Sequence, residues 1–253
     1  MTHAERVDND EDTERGSGSA ESGTSEVRTP KALPGPVEAI RLSYSHDEDW
    51  WDSYGGRPEI WYASADLVDH DTNEVIEHVG DFEFYRADPY ETGDLFGVLD
   101  GHDGDVGLVA GAILNLRTRE FRDDLDGIIG SFGSAMLILN SATMNKEWRG
   151  TGVGTVLAGR AIKRLGTGCR GVACYPAPLD DPGESQNDGG RENAHQALRR
   201  SWERLGFEHY RKGVYVLDLG TVTLGRSLAS LTKQVDALPQ PDLDAWIDAR
   251  TEE

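Results

Sequence analysis

The residues whose types and spacing could do chemistry are Glu147-Trp148-Arg149-Gly150-Thr151-Gly152-Val153-Gly154-Thr155, set between an apolar, strand-like segment and a helical one. A strand that turns through three glycines into a helix aims several unpaired backbone N–H groups, and the positive end of the helix dipole, at one spot. Such a spot suits a phosphate. The glycines allow close approach to the backbone, and Arg149 at the mouth adds a fixed positive charge.

Spacing separates the phosphate loops that could use this run. A Walker loop ends in Gly-Lys-Ser/Thr, and no lysine is present here; the dinucleotide fingerprint needs a third glycine where Leu157 stands. A glycine-rich turn that only starts a helix would also use these residues. What remains is Arg149-x-x-Gly152-x-Gly154, which resembles the R/Q-x-x-G-x-G/A signature of the GNAT superfamily of N-acetyltransferases. Downstream, Ser201-Trp202-Glu203-Arg204-Leu205-Gly206-Phe207 is similar to the family's L-Y-E-K-L-G-F block. Ala194, Leu198, Trp202 and Leu205 recur there at helical spacing, and Gly206 suits the left-handed residue that follows a helix. The resemblance covers about residues 134 to 219.

The resemblance implies an α/β fold, with a GNAT-like mixed, mostly antiparallel sheet splayed between strands 4 and 5 and flanked by helices. It implies acetyl-coenzyme A as co-substrate and a primary amine, on a small molecule or a peptide, as acceptor. The diphosphate would lie on the amides of Arg149, Gly150, Thr151, Gly152, Val153, Gly154 and Thr155. The pantetheine arm would enter the wedge beside Met144, whose backbone groups bond the arm and polarise the thioester. An acceptor held opposite the thioester attacks directly, so no protein nucleophile is required. The family's usual proton donor, the tyrosine of the second block, is replaced by Trp202, whose side chain would pack against pantetheine or the core. Its frequent asparagine two turns earlier is replaced by His195, with Asn193 nearby; His195 is the candidate to shuttle a proton, with contact to the cofactor or no role at all as the alternatives. For the base, Glu77, Asp81, Glu83 and the loop acids Asp180, Asp181 and Glu184 are candidates, each also explicable as solvated surface. The acidic loop would suit a cationic acceptor. The missing tyrosine leaves open a silent acetyl-coenzyme A sensor or scaffold, and the glycine turn a nucleotide-binding protein.

Composition bounds these readings. In 253 residues, 46 acidic side chains against 25 basic give a formal charge of −21, and the acids are spread along the whole chain. Such a surface is expected where concentrated salt screens self-repulsion, so we read halophilic adaptation. It argues against nucleic acid and anionic membranes as partners. Cys169 and Cys174 are expected to be reduced, buried and on opposite faces of a strand, with no metal. No signal peptide or bilayer-spanning stretch is recognisable, and a cytoplasmic location is expected.

The elements that must position the motif follow from periodicity. Residues 1–33 form an acidic tail too poor in apolar side chains to order; residues 34–220 form the acetyltransferase-like domain, and 221–253 a helical extension that packs on its own domain or on a second subunit, as in a homodimer. Strands are predicted over 37–44, 60–69, 75–85, 135–144, 170–176 and 213–219. Glu77, Asp81, Glu83 and Tyr85 should share one face of the third, with Ile76, Phe82 and Phe84 on the other. One long helix is predicted over 94–116, carrying Leu95, Leu99, His102, Val106, Val109, Ile113 and Leu116 on a single stripe. The family usually places helices between its first two strands, so this is a departure. Helix 152–165 buries Val153, Val156, Leu157, Ala161 and Leu165; its Arg160, Lys163 and Arg164 could meet a ribose phosphate or simply offset the helix dipole.

Overall fold

The computed structural model describes residues 31–47, 58–130, 132–177 and 188–251. The chain is α/β, with seven strands in one mostly antiparallel open sheet of order β1-β2-β3-β4-β5-β7-β6. The strands are β1 (Ile40–His46), β2 (Glu59–Val68), β3 (Val75–Ala87), β4 (Ala135–Met144), β5 (Cys169–Cys174), β6 (Glu208–Arg211) and β7 (Val214–Asp218). The helices are α1 (Leu95–Asp100), α2 (Gly104–Ile113), α3 (Val153–Leu165), α4 (Asp188–Leu205), α5 (Thr223–Asp236) and α6 (Leu243–Thr251). Among the described residues, the one parallel pairing joins β4 to β5, across the α3 connection. That connection must be a crossover, because parallel neighbours cannot be joined by a tight turn.

Two cores cover the two faces of the sheet. Phe82, Phe84, Leu137 and Val172 pack with Val156, Leu157 and Ile162 of α3, Leu205 of α4 and Leu224, Leu228, Leu231 and Val235 of α5. Tyr85, Met136, Ile138 and Val216 pack instead with Leu95 and Leu99 of α1 and Val106, Val109 and Ile113 of α2. The 221–253 segment is thus integral to the first core: α5 buries one leucine-rich stripe, each side chain worth about 1.5–3 kcal/mol. Trp246 of α6 is 5% exposed, and its indole N–H donates to the Pro34 carbonyl at 3.2 Å.

Several expectations are corrected. The long helix 94–116 is two helices, because Gly101 ends α1 and Asp103 caps α2, its carboxylate accepting from the Asp105 and Val106 amides at 2.8 and 3.4 Å. His102 lies in the link between them and is exposed, as is Leu116. Residues 37–39 are a 3-10 turn, so β1 begins at Ile40. The extended run after Phe207 forms a separate short strand, β6. Along α4, Ala194 is exposed and the inward row is His195, Leu198, Trp202 and Leu205.

Two register shifts also reverse side-chain assignments. In β3, Val79 is an extra residue between the pairs Asp66–His78 and Ala65–Gly80, so Glu77 does not share a face with Asp81 and Glu83. In β5, Arg170 is extra between Ala135–Cys169 and Met136–Gly171, and both cysteines pack in the same core, reduced. Burial raises both thiol pKa values, which keeps them inert.

Arg170 itself is nearly buried and ties the 121–130 segment to the sheet. It pairs with Asp126, donates to the Gly130 and Ile129 carbonyls at 3.2 and 3.3 Å, and lies over the Phe121 ring. Arg170→Leu is expected to cost about 2–4 kcal/mol, since it strands two carbonyls and an acid; urea denaturation measures it.

Candidate functional site

The glycine turn is built from both sides. After Met144, Asn145 is tied back to β3, its amide donating to the Val79 carbonyl at 2.9 Å. Trp148 is 1% exposed, and its indole N–H donates to Glu77 Oε1 at 2.9 Å, which fixes the start of the turn on the sheet. Thr151 Oγ donates to the Trp148 carbonyl at 2.7 Å and accepts from the Val153 amide at 3.3 Å. Lys31 Nζ donates to the carbonyls of Glu147 and Arg149 at 2.8 and 2.7 Å, which ties the segment before β1 to the turn.

Gly150 and Gly152 have φ of +78° and +86°, a region costly for residues with a Cβ. Gly152 ends the turn as the N-cap of α3 and brings no side chain to occupy the helix end. The amides of Gly154 and Thr155, in the first helical turn, therefore have no intrahelical acceptor. Gly154 serves a different purpose: a Cβ there would come within 2.9 Å of Met144 Cγ and Sδ, so the glycine lets α3 lie close on the end of β4. Arg149 is exposed, with Nε donating to the Met144 carbonyl at 3.0 Å. That bond takes one of the two lone pairs of the Met144 carbonyl. The edge of β4 open to a ligand lies just before it.

That edge is set by strand lengths. The pairing of β4 with β5 stops at Leu139–Cys174, while β4 runs on to Met144 with β3 as its one strand neighbour among the described residues. At this point Asn140 is an extra residue in β4, between the pairs Phe84–Leu139 and Glu83–Ser141. Its amide donates to Glu83 Oε2 at 2.6 Å.

On the face covered further along by α1 and α2, the same stretch of sheet is open. The rows Ser45–Tyr62–Glu83–Ser141 and Ser43–Ser64–Asp81 cross the strands and line a groove of about 350 Å³. Serines keep its floor low, and Asp81 and Glu83 give it negative charge. Burial, then the Glu83 charge, raises the Tyr62 pKa, so that phenol is neutral at physiological pH.

At the rim, His78 is held between two acids. Nδ1 lies 2.7 Å from Asp66 and Nε2 2.9 Å from Asp81. The hydrogen bond to Asp66, with the Asp81 charge, raises its pKa against a smaller burial effect. This pair therefore stabilises the fold fully below the unfolded value near 6.5, and the contribution is lost as pH rises through the raised folded pKa. His78→Gln is expected to lower Tm at pH 6 and to approach wild type above pH 8, in paired thermal melts.

The predicted site residues divide as follows. Met144 and Arg149 to Thr155 form the end of β4 and the turn into α3, while Asp81 and Glu83 pair with Thr143 and Ser141 of the same stretch of β4 and line the groove. Glu77 is separated from them, holding Trp148 and pairing with Arg250 at 3.4 Å. His195 Nδ1 lies 3.1 Å from the Pro176 carbonyl, just past the end of β5 on the other side of the gap. A carbonyl only accepts, so Nδ1 carries the proton and Nε2 is left for exchange. Trp202 is 5% exposed and belongs to the core. The amides of Gly206 and Phe207 bond the carbonyls of Glu203 and Trp202 in a Schellman cap, with Gly206 at φ +110° and the Trp202 and Phe207 rings 5.7 Å apart. Asn193 is exposed, and Asp180, Asp181 and Glu184 lie outside the described residues. Of α3's basic residues, Arg164 and Arg160 place their fields on the Tyr44 phenol.

Sequence reading missed Asn140, Asp66, His78 and the serine rows. Alternation in β1 and β2 signals the serines, but the bulges that orient the others leave no periodic trace. Among the described residues, no group of three His, Cys, Asp or Glu side chains is arranged to hold a metal, and no helix is long and apolar enough to cross a membrane. Compared with protein-family models, curated proteins and solved structures, the chain matches none.

Proposed function

We propose that the chain is an acetyl-coenzyme A dependent N-acetyltransferase acting on a primary amine by direct attack, a GNAT-like enzyme whose sheet splays between β4 and β5. One observation carries the reading: the unpaired edge of β4 runs directly into a left-handed glycine turn at a helix start, and the acidic groove opens on that same stretch of β4. The diphosphate would rest on the amides between Gly150 and Thr155, with Arg149 beside it. The pantetheine arm would lie along residues 140–143 as an added strand, presenting the thioester to the groove.

The acceptor enters as a cation attracted by Asp81 and Glu83, and must lose a proton to become a nucleophile. Glu83 takes that proton: Asn140 aims its carboxylate at the β4 edge, whereas Asp81 is engaged by His78 and Glu77 by Trp148 and Arg250. The amine nitrogen adds to the thioester carbon, its oxyanion held by a backbone N–H of β4. Collapse expels the thiolate as His195 Nε2 takes the surplus proton from the new amide nitrogen and passes it to sulfur, which leaves a neutral amide, a free thiol and the imidazole unchanged. Trp202 has no part in this scheme.

Coenzyme A release, followed by thiol detection across a panel of primary amines with calorimetry of acetyl-coenzyme A binding, tests the reading. Amine-dependent release supports it, and no binding overturns it. Binding without release on any amine would instead favour a silent sensor or scaffold. The burial of Trp202 at the position of the usual proton donor motivates that second reading. Competition by ATP unmatched by coenzyme A would point to a nucleotide site.

A further inference from the structure

Glu83 faces a difficulty once the site is filled. An acceptor in the groove and a thioester along β4 would separate its carboxylate from bulk water, so the proton it removes needs another way out. Behind Glu83, two residues on along the same face of β3, stands Tyr85, where the sheet passes beneath α1 and α2. Tyr85 is 1% exposed, the most deeply buried phenol near the groove. Its hydroxyl lies 3.3 Å from His102 Nδ1, with the two rings edge to face at 5.6 Å. Burial first, and then the Glu83 charge, raises the Tyr85 pKa strongly. The phenol therefore stays protonated and acts as a neutral link. His102, in the link between α1 and α2, is exposed on its far side.

Glu83 and Tyr85 on one face of β3, with the bond from Tyr85 to His102, set these groups in a line from groove to solvent. Glu83 is at the inner end with Asn140 and Tyr62, Tyr85 is in the middle, and His102 is at the outer end with Asp103 beside it. A polar hydroxyl in an otherwise apolar layer of Leu95, Leu99 and Val106 is costly unless both its neighbours bond it.

Building on the acetyltransferase reading, we propose that Tyr85 and His102 form a proton relay that carries the proton taken by Glu83 out to solvent at the α1–α2 link. In the transfer, protonated Glu83 gives its proton to the Tyr85 oxygen as the phenol gives its own to His102 Nδ1. His102 becomes an imidazolium and releases a proton from Nε2 to water. Glu83 is again a carboxylate, Tyr85 is again a phenol, and no charge is left on the tyrosine. Tyr85 and His102 are positioning and relay residues; neither touches the substrate.

Two measurements on the full chain test this. In the first, NMR follows the titration of His102 in wild type, Glu83→Gln, Tyr85→Phe and the double variant. Tyr85→Phe should move the His102 midpoint, and Glu83→Gln should move it in the presence of Tyr85 but much less in its absence. Asp100, Asp103 and Asp105, which flank His102 in sequence, are unchanged in all four proteins. A midpoint indifferent to Tyr85→Phe would overturn the relay, whatever the protein catalyses.

In the second, Tyr85→Phe and His102→Ala should each lower kcat by about tenfold, less than the loss of the base itself because Glu83 still takes the proton, without changing KM for acetyl-coenzyme A. Added imidazole should restore His102→Ala and not Tyr85→Phe. Wild-type turnover with wild-type kcat and pH profile in both variants would overturn the relay alone. Failure of wild type to acetylate any amine would overturn the acetyltransferase reading, with the titration still deciding whether the three groups are coupled.

Discussion

Glu83→Gln is expected to lower kcat/KM for the amine by about 100- to 10,000-fold, the span typical of losing a general base, while calorimetry finds acetyl-coenzyme A binding unchanged. The amide preserves size and can still meet Asn140, so the bond of 2.6 Å is traded for a neutral one and the groove keeps its shape. What disappears is the ability to take a proton. Raising the pH should partly restore the rate, because free amine then replaces the ammonium form without help from the protein. Asp81→Asn, in contrast, is expected to raise KM for a cationic amine with little change in kcat, since Asp81 is already occupied by His78 at 2.9 Å. If Glu83→Gln turns over like wild type, Glu83 is not the base.

Gly152→Val should have the second large effect, weakening acetyl-coenzyme A binding by about 10- to 100-fold, the loss of one or two charge-assisted hydrogen bonds. At φ +86° a β-branched residue is strained, and the turn can relieve the strain only by rotating its amides away from the point they share. Space is not the obstacle, since a Cβ at Gly152 would meet nothing closer than Val235 Cγ2 at 3.7 Å. The protein should therefore remain folded with a lowered Tm. Gly154→Ala separates the two roles of glycine in this run: it crowds Met144, a flexible side chain, and should disturb binding less. Equal loss of affinity in both variants would mean that close packing on Met144, rather than the left-handed turn, shapes the site.

Local patterns account for much of what was legible. The apolar run of β4, the glycines after it and the amphipathic α3 are each a short-range signal, and each element lies within a residue or two of its expected position. The Leu-Gly-Phe helix end was legible for the same reason, because a Schellman cap is written in adjacent residues. The 94–116 segment was misread for a related cause. Its apolar spacing continues through Gly101, His102 and Asp103, but a capping aspartate and two glycines favour a break that periodicity alone ignores.

The three acids of β3 were legible as a set, but not which of them face the groove. Glu77, Asp81 and Glu83 alternate evenly, and only the extra residue at Val79 sends Glu77 to Trp148 while leaving the other two in the groove. Likewise, nothing within β4 announces that Asn140 will bulge toward Glu83, since a bulge is a property of two strands paired together.

By itself, then, the amino-acid order determined the segments: which stretches extend, which coil, where the backbone must turn left-handed and how acidic the surface is. These depend on neighbours within a few residues. Tertiary structure alone decided which side chains meet. The strand lengths that leave β4 with an open edge, the register shifts that sort three acids into two places, and the burial that sets Tyr85 between Glu83 and His102 all arise from pairing across the sheet. In a β-layer, one extra residue reverses every side chain beyond it, so the site exists only once the strands have chosen their partners.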